Sequence, residues 1–126
     1  MQTKEYDNEN DNSNVIYFKY GTFKFLFMGE AGIEKEKDIL EKYNISDVYV
    51  LKVGHHGSIT SSTKTFINYI KPKFSIISVG KKNRFGHPNK EVLNNLDNSK
   101  IYRTDEDGSI LFKIKNNKFQ IETYSP

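Results

Sequence analysis

Apolar positions along this chain follow two rhythms, one of strands and one of helices. Val15–Tyr20 and Phe23–Met28 are short runs of β-branched and aromatic residues separated by Gly21-Thr22, which predicts a hairpin. Ile33, Ile39, Leu40 and Tyr43 then recur at helical spacing with charges between them. Asp47–Val53 returns to the strand pattern. Ser61 or Ser62 is placed to cap a helix carrying Phe66, Ile67 and Ile70, which Pro72 stops. Phe74–Val79 is nearly continuous in apolar residues, as for a strand covered on both faces. His87-Pro88 opens a short helix with Val92, Leu93 and Leu96, Pro88 suiting its first turn. Ile101–Arg103 is a brief strand, and residues 109–115 and 118–124 pair across Asn116-Asn117. The predicted order is β-β-α-β-α-β-α-β-β-β, and strands alternating with helices imply a layered α/β fold. No repeat or linker interrupts residues 14–126, which are expected to form one unit behind a polar, flexible lead-in at residues 1–13.

Composition narrows the chemistry. A chain of 126 residues can bury a real core. It contains no cysteine, so neither a disulfide framework nor a thiolate metal site is available, and any metal must rest on His, Asp, Glu and water. The net charge of +3 tolerates a polyanion without requiring one, because lysines and acids are interspersed. No apolar run approaches the length of a bilayer span, and no basic segment followed by an apolar one marks a signal peptide.

Three loops carry the candidate chemistry, each after an apolar strand, so all could open at one edge of a sheet. The most informative is Leu51-Lys52-Val53-Gly54-His55-His56-Gly57-Ser58, where a strand runs into two adjacent histidines flanked by glycines. Imidazole is the commonest ligand for zinc-like metals and the commonest acid–base group near neutral pH. A plain structural reading also exists, in which His55 and His56 bond nearby carbonyls. The second loop places Glu30 between Gly29 and Gly32, as a metal ligand or as a helix-start acid favoured by the macrodipole. The third runs from Ser78 to Pro88 and carries Lys81, Lys82, Asn83, Arg84 and His87. Here His87 is a candidate catalytic group or only a helix cap, and the basic residues are a phosphate contact or a solvated loop. Ser58, Thr60, Ser61 and Ser62 could contact phosphate or cap the next helix. Thr104, Asp105 and Asp107 with Gly108 make a turn before a strand.

These segments together resemble the C-terminal half of the metallo-β-lactamase fold. More narrowly they resemble the soluble hydrolase domain of the ComEC-type competence proteins, the DNA-uptake channel family. The likeness is carried by Phe25-Leu26-Phe27-Met28-Gly29-Glu30, by the His-His-Gly-Ser loop, by Ile76-Ile77-Ser78-Val79-Gly80 with Asn83-Arg84-Phe85-Gly86-His87-Pro88, and by Tyr102-Arg103-Thr104-Asp105 with Gly108. Asp11-Asn12-Ser13-Asn14-Val15 is similar to that family's entry to its middle strands. The resemblance implies an αββα sandwich with a metal site, usually dinuclear, at one edge of its sheets. It implies a divalent cation, zinc or manganese, with His55 or His56 and Glu30 as candidate ligands, with His87 catalytic or, less readily, a further ligand, and with Ser58, Ser78, Asn83 and Arg84 contacting substrate. The activity implied is hydrolysis of DNA or another phosphodiester, in a domain that is extracytoplasmic if it belongs to a competence channel.

Two departures qualify that expectation. The family's first metal motif, His-x-His-x-Asp-His, has no match in this chain, which therefore looks like half a domain whose N-terminus begins where the other half would end. Glu30 stands where the family has Asp, longer by about 1.5 Å of bond, against a tolerance of about 0.2 Å in metal–ligand distances. A catalytic zinc generally takes three protein ligands. Adjacent residues of an extended chain point opposite ways, so only one of His55 and His56, preferably His55, is expected to reach a metal. The isolated chain is thus expected to be inactive alone and to hold metal weakly or not at all. The alternative is a non-catalytic remnant, a binding or assembly module without metal. Val15, Tyr17, Phe23, Phe25 and Phe27 lie on strands expected to face the missing half, so a homo-oligomer or a complementing N-terminal half is the expected partner.

Overall fold

The computed structural model describes residues 14–83 and 85–125; the expected lead-in at residues 1–13 and the expected substrate contact Arg84 lie outside them. The chain is α/β. Five strands, β1 (Ile16–Tyr20), β2 (Phe23–Phe27), β3 (Val50–Lys52), β4 (Phe74–Ile77) and β5 (Lys100–Arg103), lie side by side in the order β1-β2-β3-β4-β5. β1 and β2 are antiparallel, and β2 to β5 run parallel. Helices α1 (Ile33–Lys42), α2 (Lys64–Ile70) and α3 (Lys90–Asn95) connect the parallel strands. A single turn, α4 (Thr104–Asp107), leads into the hairpin β6 (Ser109–Lys115) and β7 (Lys118–Tyr124), which forms its own two-stranded sheet.

Side-chain alternation gives the five-stranded sheet two apolar faces. On one, Leu26, Met28, Leu51, Val53 and Ile77 pack against Ile39, Phe66, Ile70, Val92 and Leu96 of the helices. On the other, Phe23, Phe25, Val50 and Ile76 meet the hairpin residues Ile110, Phe112, Ile114 and Phe119. β4 is covered on both faces, as its continuous apolar run predicts.

Several local details differ from the pattern. The α2 cap is Thr63, whose hydroxyl accepts from the Phe66 amide; Ser61 and Ser62, the two residues before it, are buried. Asn89 caps α3 by accepting from the Glu91 amide, and the cis-bonded His87-Pro88 pair precedes the helix instead of entering it. Thr104–Asp107 is a helical turn and not a plain corner. In α1, Lys35 and Glu36 are buried while Ile33 faces outward. The Glu36 carboxylate accepts from the Ser62 amide and from the Thr63 amide and hydroxyl, both at 3.0 Å, so it neutralises the start of α2.

The N-terminal strands also divide differently between the faces. The two-residue turn pairs Tyr20 with Phe23, Phe18 with Phe25 and Ile16 with Phe27, and directly paired residues share a face. Val15 and Tyr17 therefore pack on the helix side, and Phe23 and Phe25 are buried beneath the hairpin and Phe18. The uncovered apolar residues are instead Ile16, Phe18 and Tyr20, which are 53%, 40% and 60% exposed. Among the described residues, no helix is long and apolar enough to cross a membrane.

Candidate metal and phosphate site

Because β2, β3 and β4 are parallel, their C-terminal ends bring the Glu30, His-His and His87 loops to one edge of the sheet. The His55 amide donates to the Gly29 carbonyl at 2.8 Å, joining the first two loops. The Asn89 amide donates to the Gly57 carbonyl at 2.8 Å, joining the second to the third. Both junctions need glycine. A Cβ on Gly54 would lie 2.8 Å from the Ala31 carbonyl oxygen, and one on Gly57 would lie 2.6 Å from Pro88 Cβ. The buried Ser61 hydroxyl braces the turn from beneath, within 2.9 Å of the Gly54 carbonyl and 3.0 Å of that of Ser58.

The Gly54–Gly57 turn holds both histidines in the left-handed region, with φ of 48° at His55 and 53° at His56. Side chains without β-branches tolerate this conformation at a cost of about 1–2 kcal/mol per residue, and such strain clusters at functional sites. Its consequence is geometric. Extended backbone would send the two rings apart, but here both reach the same carboxylate. His56 Nε2 lies 3.1 Å from Glu30 Oε1, and His55 Nε2 lies 3.7 Å from Glu30 Oε2. The opposed directions expected of extended backbone are thus not found, and both rings turn toward Glu30. His87 completes the group, its ring centroid 5.8 Å from that of His55. Among the described residues, no three such side chains are arranged to hold a metal ion as they stand.

The outer nitrogens are also engaged. His56 Nδ1 is 2.7 Å from the Ser78 carbonyl oxygen, which can only accept, so Nδ1 carries a proton. His55 Nδ1 is 3.3 Å from the Thr60 hydroxyl. The Ser78 carbonyl is in turn steadied from α4: the Thr104 hydroxyl accepts from the Val79 amide at 2.8 Å and lies 2.9 Å from the Val79 carbonyl. Burial pushes the His87 imidazole below its ordinary pKa; the neighbouring His55 and His56 lower it further and Glu30 opposes them.

The expected substrate contacts have structural duties as well. Ser58 is buried and accepts from the Thr60 amide at 3.3 Å. The Asn83 amide group brackets His87, accepting from its backbone N–H at 2.8 Å and donating to its carbonyl at 2.7 Å, with a further bond to Gly80 at 3.1 Å. Ser78 contributes its carbonyl to His56 and lines a cleft of about 440 Å³ between the two sheets. Lys52, which no motif marks as a site residue, lines the same cleft; burial lowers its pKa and Glu30 partly restores it. The legible signal is a lysine two residues after Val50, hence on the same strand face, inside an otherwise apolar run.

No family model matches the chain. It is 35% identical over 120 residues to ComE operon protein 3 of Bacillus subtilis, covering 94% of this chain and 16% of that protein. It is 33% identical over 110 residues to Competence protein ComA of Neisseria gonorrhoeae, covering 84% and 16% respectively. Recombination protein 2 of Haemophilus influenzae is 30% identical over 116 residues, covering 90% of this chain and 14% of the relative. The chain is therefore homologous to one limited segment, 14–16% of the length, of relatives that include a competence protein.

Proposed function

We propose that this chain carries one half of a metal-dependent phosphodiester-cleaving site of the metallo-β-lactamase type, in a protein that serves DNA uptake. The observation that carries the metal reading is the meeting of His55 Nε2, His56 Nε2 and the Glu30 carboxylate. With Nδ1 of His56 protonated toward Ser78, a neutral ring presents its Nε2 lone pair to a carboxylate. Two acceptors facing each other require positive charge between them, from a second proton on the imidazole or from a cation. An Nδ1 bond to a backbone carbonyl is also the arrangement that orients metal-binding histidines. The donor set thus fits zinc or manganese, with other ligands supplied by a His-x-His-x-Asp-His segment that this chain lacks. Such an ion supplies Lewis acidity to a water and to a phosphoryl oxygen. His87, held below its ordinary pKa by burial, stays neutral near pH 7 and can accept a proton there. The link to DNA uptake rests on the relatives, one of them a competence protein.

The expected partner is a complementing half or a second copy, docking beside β1, where Ile16, Phe18 and Tyr20 are uncovered. A second reading, a binding module without metal, is favoured by the direct 3.1 Å contact between His56 and Glu30, which a protonated His56 satisfies alone. Calorimetric titration with manganese and zinc separates the two. The expected result is weak 1:1 binding, lost in His56→Ala and in Glu30→Gln, with no cleavage of a generic phosphodiester until the missing motif is supplied in trans. Absence of metal binding with and without that added segment would leave the metal-free module as the function.

A further inference from the structure

The cleft between the five-stranded sheet and the β6–β7 hairpin opens beside the site, and its lining is unusual. Its walls are Phe27, Val50, Ile76, Ile110 and Phe112, so they are apolar and include two aromatic rings. Its polar end holds Lys52 and Ser78 and reaches Gly29, one residue from Glu30. Lys52 is half-buried, and its ammonium makes no hydrogen bond or close ion pair among the described residues, Glu30 acting on it only from beyond contact distance. The Ser78 hydroxyl likewise has no partner among them. The Lys52 stem lies along the apolar wall while the ammonium stays within reach of solvent, so the charge is open to an anion that enters the cleft. The cleft volume of about 440 Å³ lies in the range of small-molecule sites. Another groove of about 460 Å³, by Asn68, Lys71 and Asn95, lies at the N-terminal end of β4, away from the three loops.

We propose that this cleft binds a nucleotide unit, its base or sugar against Phe27 and Phe112 and its phosphate on Lys52 and the Ser78 hydroxyl, next to the Glu30–histidine site. This deepens the phosphodiester reading and rests on it for the choice of substrate class. Flat rings stack on aromatic side chains with little regard to base identity, and a charge-assisted contact to phosphate orients what is stacked. Lys52 is then a binding residue that sets a flanking phosphate relative to the site.

Thymidine 5′-monophosphate, thymidine and inorganic phosphate serve as probes, titrated into the chain with and without manganese. The nucleotide is expected to bind at least about tenfold more tightly than either part alone. Lys52→Met, which keeps the apolar stem, should weaken nucleotide binding by about tenfold or more, and Lys52→Arg should restore most of it. Lys37→Ala, on the exposed side of α1, should change nothing. Amide chemical-shift changes in the unmutated chain provide a readout independent of the variants, and should centre on Phe27, Ile76 and Phe112. Lys52-dependent nucleotide binding without any manganese binding would sustain this inference while removing the metal reading. Manganese binding with no nucleotide binding, binding indifferent to Lys52, or phosphate bound as tightly as the nucleotide would overturn it.

Discussion

A methyl group at position 57 would lie 2.6 Å from Pro88 Cβ and 3.0 Å from its Cα, at a backbone φ of +80°. Two costs therefore fall on Gly57→Ala, left-handed strain and overpacking, and together they should destabilise the chain by about 2–4 kcal/mol. Gly86 is the comparison, because it has φ of +69° but open space around its missing Cβ. Gly86→Ala should cost only the backbone part, about 1 kcal/mol. Thermal unfolding of both variants checks this, and equal losses would show that contact with Pro88 does not hold the His-His turn against the His87 loop. The same scale explains what the sequence hid. Glycines beside histidines announce a special turn, but nothing in the letters states that His55 and His56 themselves take positive φ. Reading them as extended sends one ring away from Glu30, and the left-handed turn brings both back.

The β5–α4 corner shows how an element fixes a site it does not touch. Arg103 holds Asp105 with two bonds, from Nε at 3.0 Å and from a terminal nitrogen at 2.7 Å, and Asp107 accepts from the Arg103 amide at 2.8 Å. This locks Thr104 where its hydroxyl grips Val79, whose neighbour Ser78 orients His56. The Arg103 hydrogen bond, aided by its charge, keeps the Asp105 carboxyl below the ordinary carboxylate range against the opposing effect of burial. A lowered folded-state pKa means that the unfolded chain takes up the proton first, so acid favours unfolding. The stability that Asp105 contributes should be complete above about pH 4 and fall away as pH drops below that. Thermal midpoints of the chain and of Asp105→Asn should differ by a constant amount from pH 7 to about 4 and converge at lower pH. A gap that widens in acid would contradict the clamp. Elements of this kind were partly legible: glycine and Asx residues mark the corner, and apolar periodicity marks all seven strands and the three longer helices. Caps were less so, because Ser61, Ser62 and Thr63 are all competent hydroxyls and only the folded hydrogen bonds assign Ser61 to the His-His turn and Thr63 to α2. The faces of β1 were legible in principle. A two-residue turn fixes Tyr20 opposite Phe23, which puts Ile16, Phe18 and Tyr20 with Phe23, Phe25 and Phe27.

Across the whole molecule, one sheet serves two cores, and they support different parts of the site. The helix-side core sets the three loops in place, since α1, α2 and α3 each begin just beyond one of them. The hairpin-side core supplies the cleft wall through Ile110 and Phe112. Phe119 joins that hairpin to the sheet, with ring centroids 4.6 Å from Tyr49 and 5.4 Å from both Phe23 and Phe74. Phe119→Ala removes the centre of this cluster and should cost about 2–4 kcal/mol, the lower part of the range reflecting its partial exposure. The loss should be local in character. Hydrogen exchange should accelerate most in β6 and β7, while the amides of α1 and α2 change little, because local opening follows the packing unit that is weakened. Binding in the cleft should weaken with the wall it loses, whereas the His56–Glu30 contact should persist, with the His56 ring resonances unshifted. Exchange that rises equally over helices and hairpin would mean that the two faces unfold as one unit, and that the cleft cannot change without the loops.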